Sequence, residues 1–235
     1  MKFIYFVIVM SFILWTCSDK ESTEPQLSDG LAAYYPFNGS AMDESGNGND
    51  GTVHGAGLTS DRFGNDSSAF FLDGIDDYIE FPQTFNFHKE GDVSMSFWIN
   101  HDSTEHQSIF WTRGDDTDKD RFNIYTYYEG KSFGMDYRTS SGQRHKIFSA
   151  DTKKNAWVFI AIIRKGNQYS LYVDGNEISA ITDTAPSLPT YTGKWFCGKR
   201  SKYMYHGAID DIRIYDRALS EEEISILYHE GGWGK

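Results

Sequence analysis

Polar-tipped aromatic rings and basic side chains interleave through the middle of this chain, at Trp111, Arg113, Tyr125, Tyr127, Tyr137 and Arg138. Flat aromatic faces stack on the apolar faces of sugar rings, while guanidinium groups bond hydroxyls or carboxylates. Arg113 and Arg138 carry the planar fork that holds an acidic sugar through two parallel bonds. On a strand, Tyr125 and Tyr127 share a face by their spacing of two, and Tyr128 takes the other. Trp195 and the basic run Lys199 to Tyr203 extend the set. The same residue types also serve as core or cross-strand pairs in a sheet, so each ring has a structural reading beside the functional one.

A second chemistry is offered by Asp43-Glu-Ser-Gly-Asn-Gly-Asn-Asp50. Its carboxylates, amide oxygens and glycine-freed carbonyls suit Ca2+, a hard cation that takes oxygen ligands. The spacing is not that of an EF-hand. Asx-turns, with Asp43 and Asn47 bonded to local N–H groups, would use the same residues. His101, Glu105 and His106 do not make a His-Glu-x-x-His motif, so no catalytic metal is expected. Glycoside hydrolysis needs two carboxylates at a controlled separation. Asp77-Tyr-Ile-Glu80 has odd spacing, which sends its two carboxylates to opposite faces of a strand. The pattern favours binding over catalysis.

The elements that must position these residues are short strands separated by Gly, Asn and Asp. Val93, Met95, Phe97 and Ile99 alternate with polar or aromatic partners, a half-buried strand. Ala156 to Arg164 is a nearly continuous apolar run and reads as a buried strand. Turns at Lys165-Gly-Asn167 and Asp174-Gly-Asn176 extend it into a three-strand meander. Near the end, Ala208, Asp210, Ile212 and Ile214 alternate with Ile209, Asp211, Arg213 and Tyr215, apolar residues on both faces of a sheet covered on both sides. Ser220 with Glu223 is a capping-box pattern, and Leu219 with Ile224 is placed as a hydrophobic staple. The expectation is an all-β, two-sheet antiparallel sandwich with one short C-terminal helix. The formal net charge of −12 argues against nucleic acid and against docking on anionic lipid. Cys197, between bulky aromatics, reads as a buried, inert thiol.

Six segments in order resemble the LamG-like jelly rolls of the concanavalin A-like lectin/glucanase superfamily. They are Leu31 to Gly39, Asp43 to Gly51, Phe71 to Phe81, Val93 to Ile99, Trp157 to Gly175, and His206 to Ser220. The resemblance implies one domain over residues 30–235 and a secreted binding module of carbohydrate- or protein-binding type. By the same resemblance, a structural Ca2+ would be held by the N-terminal loop and an Asp on the last strand, here Asp43 and Asp210. The Glu-x-Asp-x-x-Glu run of the glucanases of this fold is absent. Upstream, Lys2 and the apolar run Phe3 to Trp15 read as a signal peptide over residues 1–16. Leu14-Trp-Thr-Cys17 resembles a bacterial lipobox with Cys17 as the lipidated residue, although Trp15 and Thr16 stand where smaller residues are usual. Ser18 to Glu21 resembles the export tag of Bacteroidota surface lipoproteins, and residues 17–29 read as a flexible tether. The expected function is a non-enzymatic, lipid-anchored outer-membrane surface protein that binds extracellular glycan. A surface-protein partner is the competing class.

Overall fold

The computed structural model describes residues 26–82, 91–102, 105–113, 121–127, 132–138, 141–183 and 193–235. Residues 1–25, which hold the expected signal peptide and Cys17, lie outside the described residues, as does Tyr128. The chain begins with β1 (Leu31–Tyr35), β2 (Thr52–His54), β3 (Gly57–Thr59), β4 (Ala69–Asp73) and β5 (Tyr78–Phe81). It continues through β6 (Val93–His101), β7 (Gln107–Arg113), β8 (Arg121–Tyr127), β9 (Ser132–Arg138) and β10 (Arg144–Asp151). The last strands are β11 (Val158–Lys165), β12 (Gln168–Val173), β13 (Asn176–Thr182), β14 (Trp195–Cys197) and β15 (His206–Tyr215), followed by helix α1 (Glu221–Tyr228).

Two antiparallel sheets result. The first runs β13-β12-β11-β6-β15-β4-β3, with β1 also pairing β15, and the second runs β10-β9-β8-β7-β14-β5-β2. The expected meander is β11 to β13. Alternation along β6 sends Phe97 and Ile99 inward, to meet Phe110 of β7 and Phe133 of β9 in one core. The Phe97 and Phe110 rings touch edge to face with centroids 4.9 Å apart, which ties the sheets together.

The other face of the first sheet carries Trp98, Phe159, Ala161, Ile163 and Tyr215, covered by Leu219, Ile224 and Leu227. This is the second covering layer that the apolar pattern of β15 requires. Helix α1 starts as expected: Ser220 Oγ accepts from Glu223 N at 3.2 Å, and Glu223 Oε2 accepts from Ser220 N at 2.7 Å. Leu219 and Ile224 are both buried in the same cluster, completing the staple. Ser220→Ala should cost about 1 kcal/mol, read as a lower urea midpoint with an unchanged slope.

Two expectations are corrected. Simple alternation along β15 would put Ile209 and Ile212 on opposite faces, yet both are in the central core. The reason is a bulge: the register slips between Asp210 and Arg213, and Asp211 adopts a left-handed φ of 48°. Ile209, Ile212 and Ile214 therefore face inward, while Asp210 and Arg213 point towards the helix layer. The last four residues of the expected tether, 26–29, are also structured. Residues 26–29 form a turn against the domain, with Leu27 packed beside α1 and Arg217 donating to the carbonyls of Asp29 (2.7 Å) and Gln26 (3.3 Å).

Candidate ligand-binding face

The second sheet has no helix over its outer face among the described residues, and its register decides which side chains stand there. On β8, Phe122 and Ile124 enter the core, so Arg121, Asn123, Tyr125 and Tyr127 face out. On β9, Phe133, Met135 and Tyr137 enter the core, leaving Gly134, Asp136 and Arg138 outside. Trp111 of β7 pairs with Asn123, and Arg113 pairs with Arg121 at the strand's end. The side chain of Arg113 lies outside the described residues. The structure thus brings Trp111, Tyr125, Tyr127 and Arg138 to one face.

It removes Tyr137 and Trp195 from that face. Tyr137 is a core residue whose hydroxyl donates to Asp183 and whose ring stacks on His145. It lies next to Arg138, and neighbours on a strand point to opposite sides. Trp195 is likewise buried in the core, packed on Phe122.

Sequence reasoning missed several residues that complete the face. Gly134 lies opposite Tyr125, and a Cβ there would come within 2.9 Å of the Tyr125 ring, so glycine lets the ring lie across β9. Arg144 of β10 donates to Tyr125 Oη at 3.1 Å and to Asp136 Oδ2 at 2.9 Å through Nε. Burial first, then the Asp136 charge, push the Tyr125 hydroxyl up to about 12, so it stays protonated. His106 packs against both Tyr125 and Tyr203, with centroids 5.2 and 4.7 Å away. Burial, and then Arg200, hold His106 below the ordinary histidine range, so the ring acts as a neutral aromatic. Lys146 sits 3.4 Å from Tyr127 Oη.

The loop between β14 and β15 folds over this face. The Arg200 guanidinium lies 4.6 Å from the Trp111 centroid and 5.3 Å from that of Tyr203. With the Asn123 amide oriented by its surroundings, its oxygen accepts from Arg200 Nη1 at 3.2 Å and its nitrogen donates to Ser108 Oγ at 2.6 Å. Backbone bonds pin the loop: Ser108 N donates to Tyr203 O (3.1 Å) and Gly198 N to Ile109 O (2.8 Å). Gly198 has φ +89°, and a Cβ there would strike Leu72 at 2.1 Å, so this close approach requires glycine.

At the end of the face, where this loop meets the β4–β5 hairpin, a cleft of about 640 Å³ opens. Carboxylates (Asp73, Asp102, Glu105), donors (Lys202, His206), Gln107 and the tilted, touching rings of His106 and Tyr203 line it. His206 Nδ1 lies 2.6 Å from Asp102 Oδ1. Hydrogen bonds from the N–H groups of Ile75 and Asp76 hold the Asp73 carboxyl below its usual range.

The profile of the Laminin_G_3 family, described as the concanavalin A-like lectin/glucanases superfamily, matches residues 73–225, more than half of the sequence. The chain belongs to this family. No curated protein matches it. Among solved structures, Domain 4 of AbnA, an extracellular GH43 arabinanase from Geobacillus stearothermophilus, was solved in complex with arabinotriose. It is similar with a TM-score of 0.69 at 19% identity, over 84% of this chain and 98% of that one. The botulinum neurotoxin serotype D binding domain gives 0.70 at 17% identity, over 87% of this chain and 52% of that one. The botulinum neurotoxin DC binding domain, solved with rat synaptotagmin II, gives 0.70 at 16%, over 87% and 52%. The chain thus spans about half the length of the neurotoxin domains. At these identities the likeness shows the fold.

In this Laminin_G_3 domain the two carboxylates expected to share Ca2+ have separate protein partners. Asp43 Oδ1 accepts from Tyr34 N and Ser45 N, both at 2.9 Å, and its Oδ2 accepts from Asn49 N at 2.9 Å. That is the Asx-turn arrangement, and these bonds lower the Asp43 pKa against the opposing effect of its partial burial. Asp210 points into the helix layer, where Arg62 Nη1 donates to it at 3.0 Å. A guanidinium beside one ligand and backbone N–H groups on the other do not fit a cation. Among the described residues, the one convergent group of three carboxylates is Asp73, Asp76 and Asp77 of the hairpin. Two of its members accept from the hairpin's own N–H groups.

Proposed function

We propose that this Laminin_G_3 domain is a non-catalytic carbohydrate-binding module, displayed at a bacterial outer-membrane surface by a lipid on Cys17. The observation that carries this reading is the cleft at the end of the second sheet's outer face. There the rings of His106 and Tyr203, backed by Tyr125, line about 640 Å³ together with carboxylates, histidines and a lysine. Rings that stack and polar groups that exchange hydrogen bonds with hydroxyls are what sugar recognition requires. The similarity to Domain 4 of AbnA, solved with arabinotriose and matched over 98% of its length, supports it. The absence of a Glu-x-Asp-x-x-Glu run favours binding without hydrolysis.

A glycan panel presented to the full chain tests the reading. Retention on at least one polysaccharide, weakened about tenfold or more by Tyr203→Ala, is the expected result. Failure to bind any glycan, with capture of a purified surface protein instead, would favour the competing reading. That reading draws on the exposed Phe71 and Ile75 beside the cleft. The anchor has its own check: Cys17→Ala should abolish incorporation of labelled fatty acid and release the chain from the membrane fraction.

A further inference from the structure

The outer face of the second sheet is not an open groove. Asn123 and Asp136 stand there by register, yet their exposures are 0% and 1%, and Tyr125 beside them is only 3% exposed. Residues on an uncovered sheet face would be wet. The cover includes Arg200, laid over Trp111 and bonded to Asn123, together with His106 on Tyr125 and Arg144 on Asp136. Backbone hydrogen bonds from Ser108 and Gly198 hold the Arg200 loop in place. A polysaccharide laid along the strands would meet this cover instead of the aromatic row beneath it.

The approach that remains is the cleft at the end of the face. Its volume of about 640 Å³ lies in the range of small-ligand sites. Gln107 lines it, is 3% exposed, and its Oε1 has no hydrogen-bond partner among the described residues. That oxygen is itself buried, so a ligand hydroxyl would meet it only when the Gln107 side chain turns into the cleft, where it gains the donor it lacks. The packed Tyr203 and His106 rings supply a wall for a sugar ring, and Asp102, His206 and Lys202 offer acceptors and donors for further hydroxyls.

We propose that this cleft recognises the terminal residues of a glycan chain, so that the domain binds chain ends rather than internal runs. This deepens the carbohydrate-binding reading and rests on it. The test titrates the full chain with linear arabinan, xylan, mixed-linkage glucan and polygalacturonate, each intact and after partial hydrolysis at equal mass. End recognition predicts that the molar concentration of binding sites rises in proportion to the number of chain ends, with Kd per end unchanged. Gln107→Ala and the loop variant Lys202→Ala should each raise that Kd, the first by about tenfold. Lys202 lies on an exposed loop, so its variant reports on the cleft even if Gln107→Ala folds poorly. Sites that follow polymer mass and do not increase on hydrolysis would overturn the end-binding proposal while leaving the carbohydrate reading in place. No binding to any of these glycans in either form would overturn both.

Discussion

Arg62→Met is expected to destabilise the domain by about 3–5 kcal/mol, the range for removing one partner of a buried ion pair. Arg62 is enclosed between two aromatic rings, with its guanidinium carbon 4.5 Å from the Phe63 centroid and 4.6 Å from that of Trp98. Its Nη1 reaches Asp210 at 3.0 Å and Asp211 at 2.6 Å, and the Arg62 and Asp210 side chains are each only 3% exposed. Methionine fills much of the volume but leaves the Asp211 carboxylate without its cation and Asp210 without its hydrogen-bond donor. Urea unfolding measures the loss, and a change below about 1 kcal/mol would show that the pair is dispensable.

The same cluster makes stability depend on pH. Burial first, and then the adjacent Asp211 carboxylate, push Asp210 up to about 8 against the pull of Arg62. In the unfolded chain an aspartate titrates near 3.9. Between these values the folded state holds a proton that the unfolded chain has released. The contribution is therefore full below about pH 4 and is lost as pH rises through about 8, with a limiting slope of about 1.4 kcal/mol per pH unit. Asp210→Asn should flatten the unfolding free energy across pH 5–8.5. An unchanged slope would assign the dependence to other groups.

Trp98→Ala should cost about 3–5 kcal/mol and loosen the whole C-terminal layer. Trp98 is 1% exposed on the helix side of β6. Its ring lies 5.2 Å from Phe159, 5.9 Å from Tyr228 and 5.2 Å from Trp233, besides supporting Arg62. Without it, the helix and the segment that follows lose their common anchor. Limited proteolysis should then cut within residues 221–235 much faster than elsewhere. Wild-type protection of that segment would show that Leu219, Ile224 and Leu227 hold it unaided.

Much of this architecture is legible from local patterns, because strand alternation, glycine turns and the capping box act over few residues. Phe97 and Trp98 point to opposite layers as their adjacency requires, and the turns after Lys165 and Asp174 produce the meander. Position 211 was not legible. One extra residue there exchanges the two faces of β15, and Asp-Asp carries no local mark of a bulge. The ligand face divides the same way. Tyr125 and Tyr127 lie together as their spacing demands, and by the same rule the adjacent Tyr137 and Arg138 go to opposite faces. His106, Gln107 and Arg200 reach the site through tertiary folding of β7 and the β14–β15 loop, which no window of sequence contains.

The order of strands in the sheets has a consequence for how the chain is made. β14 sits between β7 and β5 in one sheet, and β15 joins β6, β4 and β1 in the other. Both come late in the sequence, so the second sheet cannot close until residue 197 has left the ribosome, and the first not until residue 215 has. Contacts of such sequence separation fold slowly, which prolongs the time the nascent polypeptide spends unfolded.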